Sequence, residues 1–133
     1  MKKCIIFDLD GTLIDSDPIT ISAINEIRKE DRLPPISAQD ISPFLATGGL
    51  MLVQKTITNT NSIERNTKHL NRLRRKIFER KTEENILFPG VTAALNALVE
   101  RNINLFICTN KSNVLAAKVL SDLGLCQYFR KVI

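Results

Sequence analysis

The sequence contains no long hydrophobic run, and this absence limits what the protein can be. No apolar stretch approaches the roughly 20 residues that a helix needs to cross a bilayer. The basic start, Met1-Lys2-Lys3, precedes an apolar run that is too short for a secretory signal and that soon meets Asp8. We therefore expect a cytoplasmic protein without a membrane segment.

Cysteine is scarce, and the sequence has no internal repeats or low-complexity tracts. Cys4, Cys108 and Cys126 form an odd set without the spacing of a metal site. Cys4 and Cys108 fall in predicted strands, which favours reduced core thiols over disulfides. With 44% hydrophobic and 25% charged residues, the 133-residue chain has the composition of a soluble domain with a real core.

The formal net charge is +5, and much of it comes from residues 65–81. Such a basic segment is one feature of nucleic-acid binding proteins. However, Ile63, Leu70, Leu73 and Ile77 recur at helical spacing, so the charges can occupy the solvated face of an amphipathic helix. We favour that interpretation over a nucleic-acid surface, with attraction of anionic substrates as a further alternative.

Two acids follow the first predicted strand and carry the strongest functional signal. The run from Cys4 to Phe7 is β-branched and aromatic, which predicts a buried strand, and Asp8 and Asp10 come directly after it. Residues two apart on an extended chain point to the same side, so the two carboxylates can converge. A divalent cation is the natural compensation for their charge. Asp8 is then the expected nucleophile, Asp10 the acid/base, and Gly11 lets the backbone leave the strand. The alternative is a plain acidic turn.

The remaining pattern predicts alternating strands and helices around a helical insertion. A compact helical insertion is expected over residues 17–83, and the rest of the chain, 1–16 and 84–133, is expected to form an α/β unit. The predicted insertion helices cover about 18–32, a short second helix capped by Ser37 with Asp40, 50–58 and 62–81. The predicted elements that follow are a helix over 91–101, a strand over 103–108, a helix over 112–123 and a strand from 131. This order predicts a parallel sheet covered by helices.

A second group of polar residues follows the second predicted strand. Thr109, Asn110 and Lys111 lie at its carboxyl end, which is where parallel sheets bind ligands. The Thr109 hydroxyl and an N–H of Asn110 suit a phosphoryl group, as does the helix N-terminus that follows. A plain strand-to-helix turn is the alternative, and Lys111 either approaches the phosphate or is solvated.

The segment DLDGTL resembles the first motif of the haloacid-dehalogenase-like phosphohydrolases, and Thr109 resembles the second-motif residue. The resemblance implies that Asp8 attacks phosphorus to form an aspartyl-phosphate and that Asp10 protonates the leaving group and then activates water. It also implies Mg²⁺ held by the Asp8 side chain and the main-chain carbonyl of Asp10, and a Rossmann-like core with an inserted α-helical cap over 17–83. The phosphate and cap residues that it implies are Gly11, Thr109, Asn110 and Lys111, and the cap substrate loop Thr47, Gly48 and Gly49.

The flanking sequence looks most like that of phosphoglycolate phosphatases. This similarity implies a phosphoric monoester hydrolase for a small phosphorylated metabolite, with phosphoglycolate as the first guess. The third and fourth motifs of the family would lie beyond Ile133, so the resemblance implies a truncated phosphatase. Its first strand would then offer an exposed apolar edge and invite self-association. The alternative is a non-catalytic module that binds a partner or a phosphorylated ligand.

Overall fold

The computed structural model describes residues 3–133, and Met1 and Lys2 lie outside the described residues. The chain divides into two compact units. The first comprises Met1–Ser16 with Lys81–Ile133, and the second comprises Asp17–Arg80. None of the described helices combines the length and apolarity of a membrane span.

The first unit is built on a parallel sheet of three short strands. Strands β1 (Cys4–Phe7), β2 (Asn104–Ile107) and β3 (Phe129–Val132) follow one another in the order β1-β2-β3. Helix α5 (Val91–Glu100) precedes β2, and α6 (Asn113–Asp122) connects β2 to β3. The predicted α/β class with a parallel sheet and surrounding helices is confirmed. Strand β3 begins at Phe129, two residues before the prediction.

The core of the first unit follows the side-chain alternation of β2. Leu105 and Ile107 point inward and are fully or almost fully buried. The Phe7 and Phe129 rings meet edge to face with centroids 6.3 Å apart. The other buried apolar residues of α5, α6 and the segment after α6 are Leu95, Leu115, Ala116, Val119, Leu120, Leu123 and Leu125.

Two sequence expectations about burial are wrong. Strand β1 was predicted to be buried, but Ile6 is 61% exposed and Cys4 is also exposed. Within the described residues β1 pairs with β2 alone, so it forms an edge and one of its faces is open. Cys4, Cys108 and Cys126 are free thiols, as expected, but all three are exposed rather than in the core. Cys108 follows the inward-pointing Ile107, so the side-chain alternation of β2 places the Cys108 thiol on the outer side.

The second unit is helical. Its helices are α1 (Asp17–Glu30), α2 (Ala38–Ile41), α3 (Gly49–Val53) and α4 (Ile63–Glu79). A 3₁₀ turn, Ser42–Phe44, follows α2, and a π-helical turn, Gln54–Thr58, follows α3. The chain leaves this π turn through Asn59 at φ 46°. The buried core cluster contains Ala23, Ile24, Ile27, Ile41, Leu52, Val53, Ile57, Leu70 and Leu73.

Local capping explains where two of these helices begin. The Ser37 hydroxyl accepts a hydrogen bond from the Asp40 N–H (3.1 Å), which confirms the predicted capping at this position. The Ser62 hydroxyl accepts one from the Arg65 N–H (3.3 Å) at the start of α4. The predicted single helix over 50–58 is instead α3 continued by the π turn.

Two basic residues of α4, Arg72 and Lys76, form ion pairs with acids of α1 and the residue after it. Arg72 bonds Asp31 (Nη1–Oδ1, 2.7 Å) and also Glu30. Lys76 pairs with Glu30, and these two cations hold the pKa of Glu30 below its usual value of 4.5, chiefly through the hydrogen bonds from Lys76 and Arg72. The predicted amphipathic helix is confirmed, and part of its charge is neutralised by ion pairs.

Candidate active site

The ends of β1 and β2 bring the two polar groups of the sequence to one edge of the sheet. The strands pair in parallel with Phe7 opposite Ile107, so the chain leaves both strands at the same edge. The pairing continues one residue further, because the Cys108 N–H donates to the Phe7 carbonyl (2.8 Å). On the opposite side of β2, the Thr109 N–H donates to the Ile133 carbonyl (3.0 Å).

A compact turn follows β1 and fixes the two acids. The Leu9 carbonyl accepts hydrogen bonds from the N–H groups of Leu13 (3.0 Å) and Ile14 (3.2 Å). Gly11 adopts φ 77°, and its N–H donates to the Ile14 carbonyl (2.8 Å). A Cβ on Gly11 would meet nothing within 4 Å, so the backbone conformation, and not the space, favours glycine here. The side chain of Leu9 is fully buried and anchors the turn, whereas its neighbours Asp8 and Asp10 are exposed and half-buried.

The two carboxylates have different surroundings. The Asp8 Oδ1 accepts a hydrogen bond from the Leu9 N–H (2.8 Å), and the side chain is otherwise open to solvent. The Asp10 Oδ1 accepts a hydrogen bond from the Ser16 hydroxyl (2.5 Å) and lies 3.2 Å from the Lys111 Nζ. The Lys111 side chain is only 12% exposed, so the ion pair is largely shielded from water.

The ion pair between Asp10 and Lys111 joins the turn after β1 to the turn after β2. In the second turn, the Thr109 Oγ1 accepts a hydrogen bond from the Lys111 N–H (3.1 Å). Because that bond uses a lone pair, the hydroxyl hydrogen of Thr109 stays available as a donor. Ser112 then caps α6 by accepting from the Leu115 N–H (3.5 Å), as predicted. Asn110 is exposed at the tip of this turn.

Ser16 is not among the site residues predicted from the sequence, yet its hydroxyl donates a hydrogen bond to Asp10. The signal for this contact is weak in the sequence, because it depends on the chain returning past Asp10 after the turn. That return is fixed by Ile14, which bridges both Asp10 and Leu87, and by the Asp15 N–H, which donates to the Ile86 carbonyl (2.7 Å).

The remaining predicted site residues, Thr47, Gly48 and Gly49, belong to the second unit. The Thr47 hydroxyl donates to the Phe44 carbonyl (2.7 Å), and Gly48 adopts φ 95°. Gly49 begins α3 against Leu70, whose Cδ1 would lie 2.6 Å from a Cβ added there. Glycine at this position therefore allows the loop to approach the core of the second unit closely.

The donor set at the sheet edge suits a hard cation. Across residues 3–133, no cluster of three or more His, Cys, Asp or Glu side chains is arranged to hold a metal ion. Mg²⁺ commonly uses only one or two carboxylates and completes its six oxygens with water and substrate phosphate. Asp8 and Asp10 fit that pattern, and Asp8 is the more open of the two because Ser16 and Lys111 occupy the Asp10 Oδ1.

Comparisons with known proteins agree with this fold. The family model described as "Haloacid dehalogenase-like hydrolase" matches residues 5–133. A protein named phosphoglycolate phosphatase from Agrobacterium fabrum is 31% identical over 132 residues, which cover 96% of this chain and 56% of that protein. One of the same name from Chromobacterium violaceum is 33% identical over 135 residues, covering 98% of this chain and 61% of that protein.

A solved structure shows the same fold. The crystal structure of a predicted phosphoglycolate phosphatase from Haemophilus somnus superposes with a TM-score of 0.78 at 24% identity, covering 99% of this chain and 62% of that one. The chain therefore spans 56–62% of the length of these three relatives. The match of the family model over nearly all residues identifies the chain as a member of the haloacid dehalogenase-like hydrolases, which confirms the resemblance seen in the sequence.

Proposed function

We propose that this chain is the nucleophile-bearing part of a Mg²⁺-dependent phosphatase that acts on a small phosphorylated metabolite, with phosphoglycolate as the first candidate. Family membership supports a hydrolase, and two relatives with 31% and 33% identity are named phosphoglycolate phosphatases. The observation that carries the proposal is the 3.2 Å ion pair between Asp10 and Lys111. It joins the turn with the two acids to the turn with Thr109, which supports the proposal that these groups act together in phosphoryl transfer.

The proposed reaction has two steps. An oxygen of the exposed Asp8 carboxylate bonds to phosphorus while the bond from phosphorus to the substrate alcohol breaks, and Asp10 gives a proton to the leaving oxygen. Asp10 then takes a proton from a water molecule, whose oxygen bonds to phosphorus as the Asp8–phosphorus bond breaks. The products are the alcohol, inorganic phosphate and free Asp8. Mg²⁺ held by the Asp8 carboxylate and the Asp10 main-chain carbonyl would supply positive charge against the phosphoryl oxygens.

The turn after β2 supplies the proposed phosphate contacts. The Thr109 hydroxyl has a free hydrogen for a phosphoryl oxygen, because its oxygen already accepts from the Lys111 N–H. We propose that the Lys111 ammonium, the exposed Asn110 and the backbone of Gly11, whose Cβ position faces open space, extend these contacts. We further propose that the second unit is the cap and that Thr47, Gly48 and Gly49 form its substrate loop.

The test is phosphate release from phosphoglycolate by the protein with Mg²⁺ present. We expect Asp8→Asn to reduce release at least about a hundredfold, because the nucleophile is lost. Asp122→Asn is the matched control, since it removes an acid of the same unit that is bound to Lys118. Release by Asp8→Asn at the parent rate would show that the nucleophile is misassigned.

A second candidate function is the binding of a phosphorylated ligand without turnover. It is favoured by the small number of metal-binding side chains, since Asp8 and Asp10 have no third such ligand grouped with them in the described part of the chain. Calorimetry with phosphoglycolate separates the two functions. Saturable binding that needs Thr109 but releases no phosphate would support the binding module and contradict the phosphatase.

A further inference from the structure

An open groove of about 710 Å³ is lined only by residues of the second unit, none of which is assigned to phosphoryl transfer. One wall is a face of α1 that presents Asn25, Glu26 and Lys29. The segment 32–35, which contains Leu33, Pro34 and Pro35, and the side chain of Arg80 also line the groove. This volume falls within the usual range for small-molecule sites.

The wall formed by residues 33–35 is held rigidly. The Asn25 amide both donates to the Ile36 carbonyl (2.9 Å) and accepts from the Ile36 N–H (2.9 Å). The Arg28 guanidinium donates to the Pro34 carbonyl (2.7 Å) and to the Thr56 carbonyl (2.6 Å). Since the two prolines also have fixed φ angles, the apolar wall is formed before any ligand arrives.

The groove carries positive charge without a matching acid. Most α4 cations that contact α1 are ion-paired, and Arg80 itself bonds Glu26, which neutralises the acid of the groove. In contrast, the exposed side chains of Lys29 and Arg32 have no ion-pair or hydrogen-bond partner among the side chains and backbone groups that the structure describes. Two cations at the mouth of a partly apolar groove favour a ligand of opposite charge.

Arg32 occupies its place at a conformational cost. The α1 helix ends with the Leu33 N–H bonded to the Arg28 carbonyl (2.7 Å) and the Arg32 N–H bonded to the Lys29 carbonyl (3.1 Å). This closure needs a left-handed residue, usually glycine, but Arg32 holds φ 58°. Glycine would adopt this left-handed conformation more easily than arginine does. The arginine places a guanidinium at the groove, although the stability of the helix end does not require that charge.

We infer that this groove binds a small organic anion that has an apolar body and at least two negative charges. Lys29 and Arg32 bind the anionic groups, while Leu33, Pro34 and Pro35 contact the apolar body. The site needs none of the residues of the sheet edge, so its test is independent of phosphatase activity.

The test uses the whole chain and naphthalene-1,5-disulfonate, which has two sulfonates on an apolar ring and no phosphate ester to hydrolyse. Calorimetry is expected to give saturable binding, and amide NMR shifts are expected at Asn25, Arg32 and Leu33. The double variant Lys29→Gln/Arg32→Gln should weaken binding at least about fivefold, because it removes two ionic contacts. Sulfate, which lacks the apolar body, should bind at least about tenfold more weakly than the disulfonate.

The matched control is Arg74→Gln/Arg75→Gln, which removes the same number of charges from exposed positions of α4. It should change the affinity by less than about twofold. Equal weakening by both double variants would mean that net charge alone attracts the probe, and the inference would fail. Shifts confined to the sheet edge around Ile6, or no saturation above roughly 1 mM probe, would also overturn it.

Discussion

Asn25 is expected to stabilise the second unit through a pair of hydrogen bonds between its side chain and the backbone of Ile36, here called the clamp. Its side chain gives Ile36 both of the hydrogen bonds that a neighbouring strand would otherwise provide, each at 2.9 Å. Ile36 itself packs against the core cluster of the unit. Replacing Asn25 with alanine removes both bonds and leaves a backbone N–H and carbonyl without these partners.

The expected size of the effect follows from the geometry. A hydrogen bond of this kind contributes about 0.5–1.5 kcal/mol net, so the clamp contributes about 1–3 kcal/mol to the free energy of unfolding. Alanine also favours the helix over asparagine by roughly 0.5 kcal/mol. The control is Asn71→Ala at an exposed position inside α4. This substitution gains the same helix propensity but breaks no side-chain hydrogen bond in the described part of the chain. The difference in unfolding free energy between Asn25→Ala and Asn71→Ala therefore isolates the clamp.

Two measurements check this prediction. Urea unfolding should place Asn25→Ala below Asn71→Ala by about 1–3 kcal/mol. Hydrogen exchange of the Ile36 amide should be at least about tenfold faster in Asn25→Ala, because its acceptor is gone. Equal stability of the two variants, together with unchanged exchange at Ile36, would refute the clamp and remove the argument for a rigid groove wall.

Two further predictions concern the pH response and a buried hydroxyl. The hydrogen bonds from Lys118 and from the Thr82 N–H hold the pKa of Asp122 below its usual value of 3.8. The charged carboxylate therefore stabilises the fold fully at pH values above 3.8. This stabilisation is lost as the pH falls through the lowered pKa of the folded state. The stability difference between the parent and Asp122→Asn, measured by urea unfolding, should therefore shrink between about pH 5 and pH 2, and a constant difference would contradict the pairing. Thr56 is fully buried and its hydroxyl donates to the Leu52 carbonyl (2.7 Å), so Thr56→Val should cost about 1 kcal/mol in the same assay; a stabilised variant would contradict this role.

The helices were predictable because their signals are local. Ser37, Ser62 and Ser112 each bond an N–H three residues later, and such spacing is visible in the sequence. The π turn after α3 was missed, because i to i+5 bonding leaves no clear residue pattern there. The exposure of Ile6 was also missed, because a strand sequence does not reveal which of its faces is covered.

The placement of the candidate site was predictable only in part. The motif put Asp8 and Asp10 at the end of one strand and Thr109 at the end of the next, and the sheet has both strands ending at one edge. The pairing of Asp10 with Lys111 needs β1 and β2 to be side by side, so no local rule gives it. The chemical roles of these residues stay predictions until the variants are measured.

The pairing of Cys4 with Asn104 has a consequence for the order of events during synthesis. About one hundred residues separate these partners, whereas the helical stretch Asp17–Arg80 is continuous and completes its own contacts earlier. We expect the first strand to leave the ribosome before its partner strand is synthesised. Its backbone N–H and carbonyl groups would then stay without strand hydrogen bonds while the helices form. Over that interval it is open to chaperones and to the strands of neighbouring nascent chains.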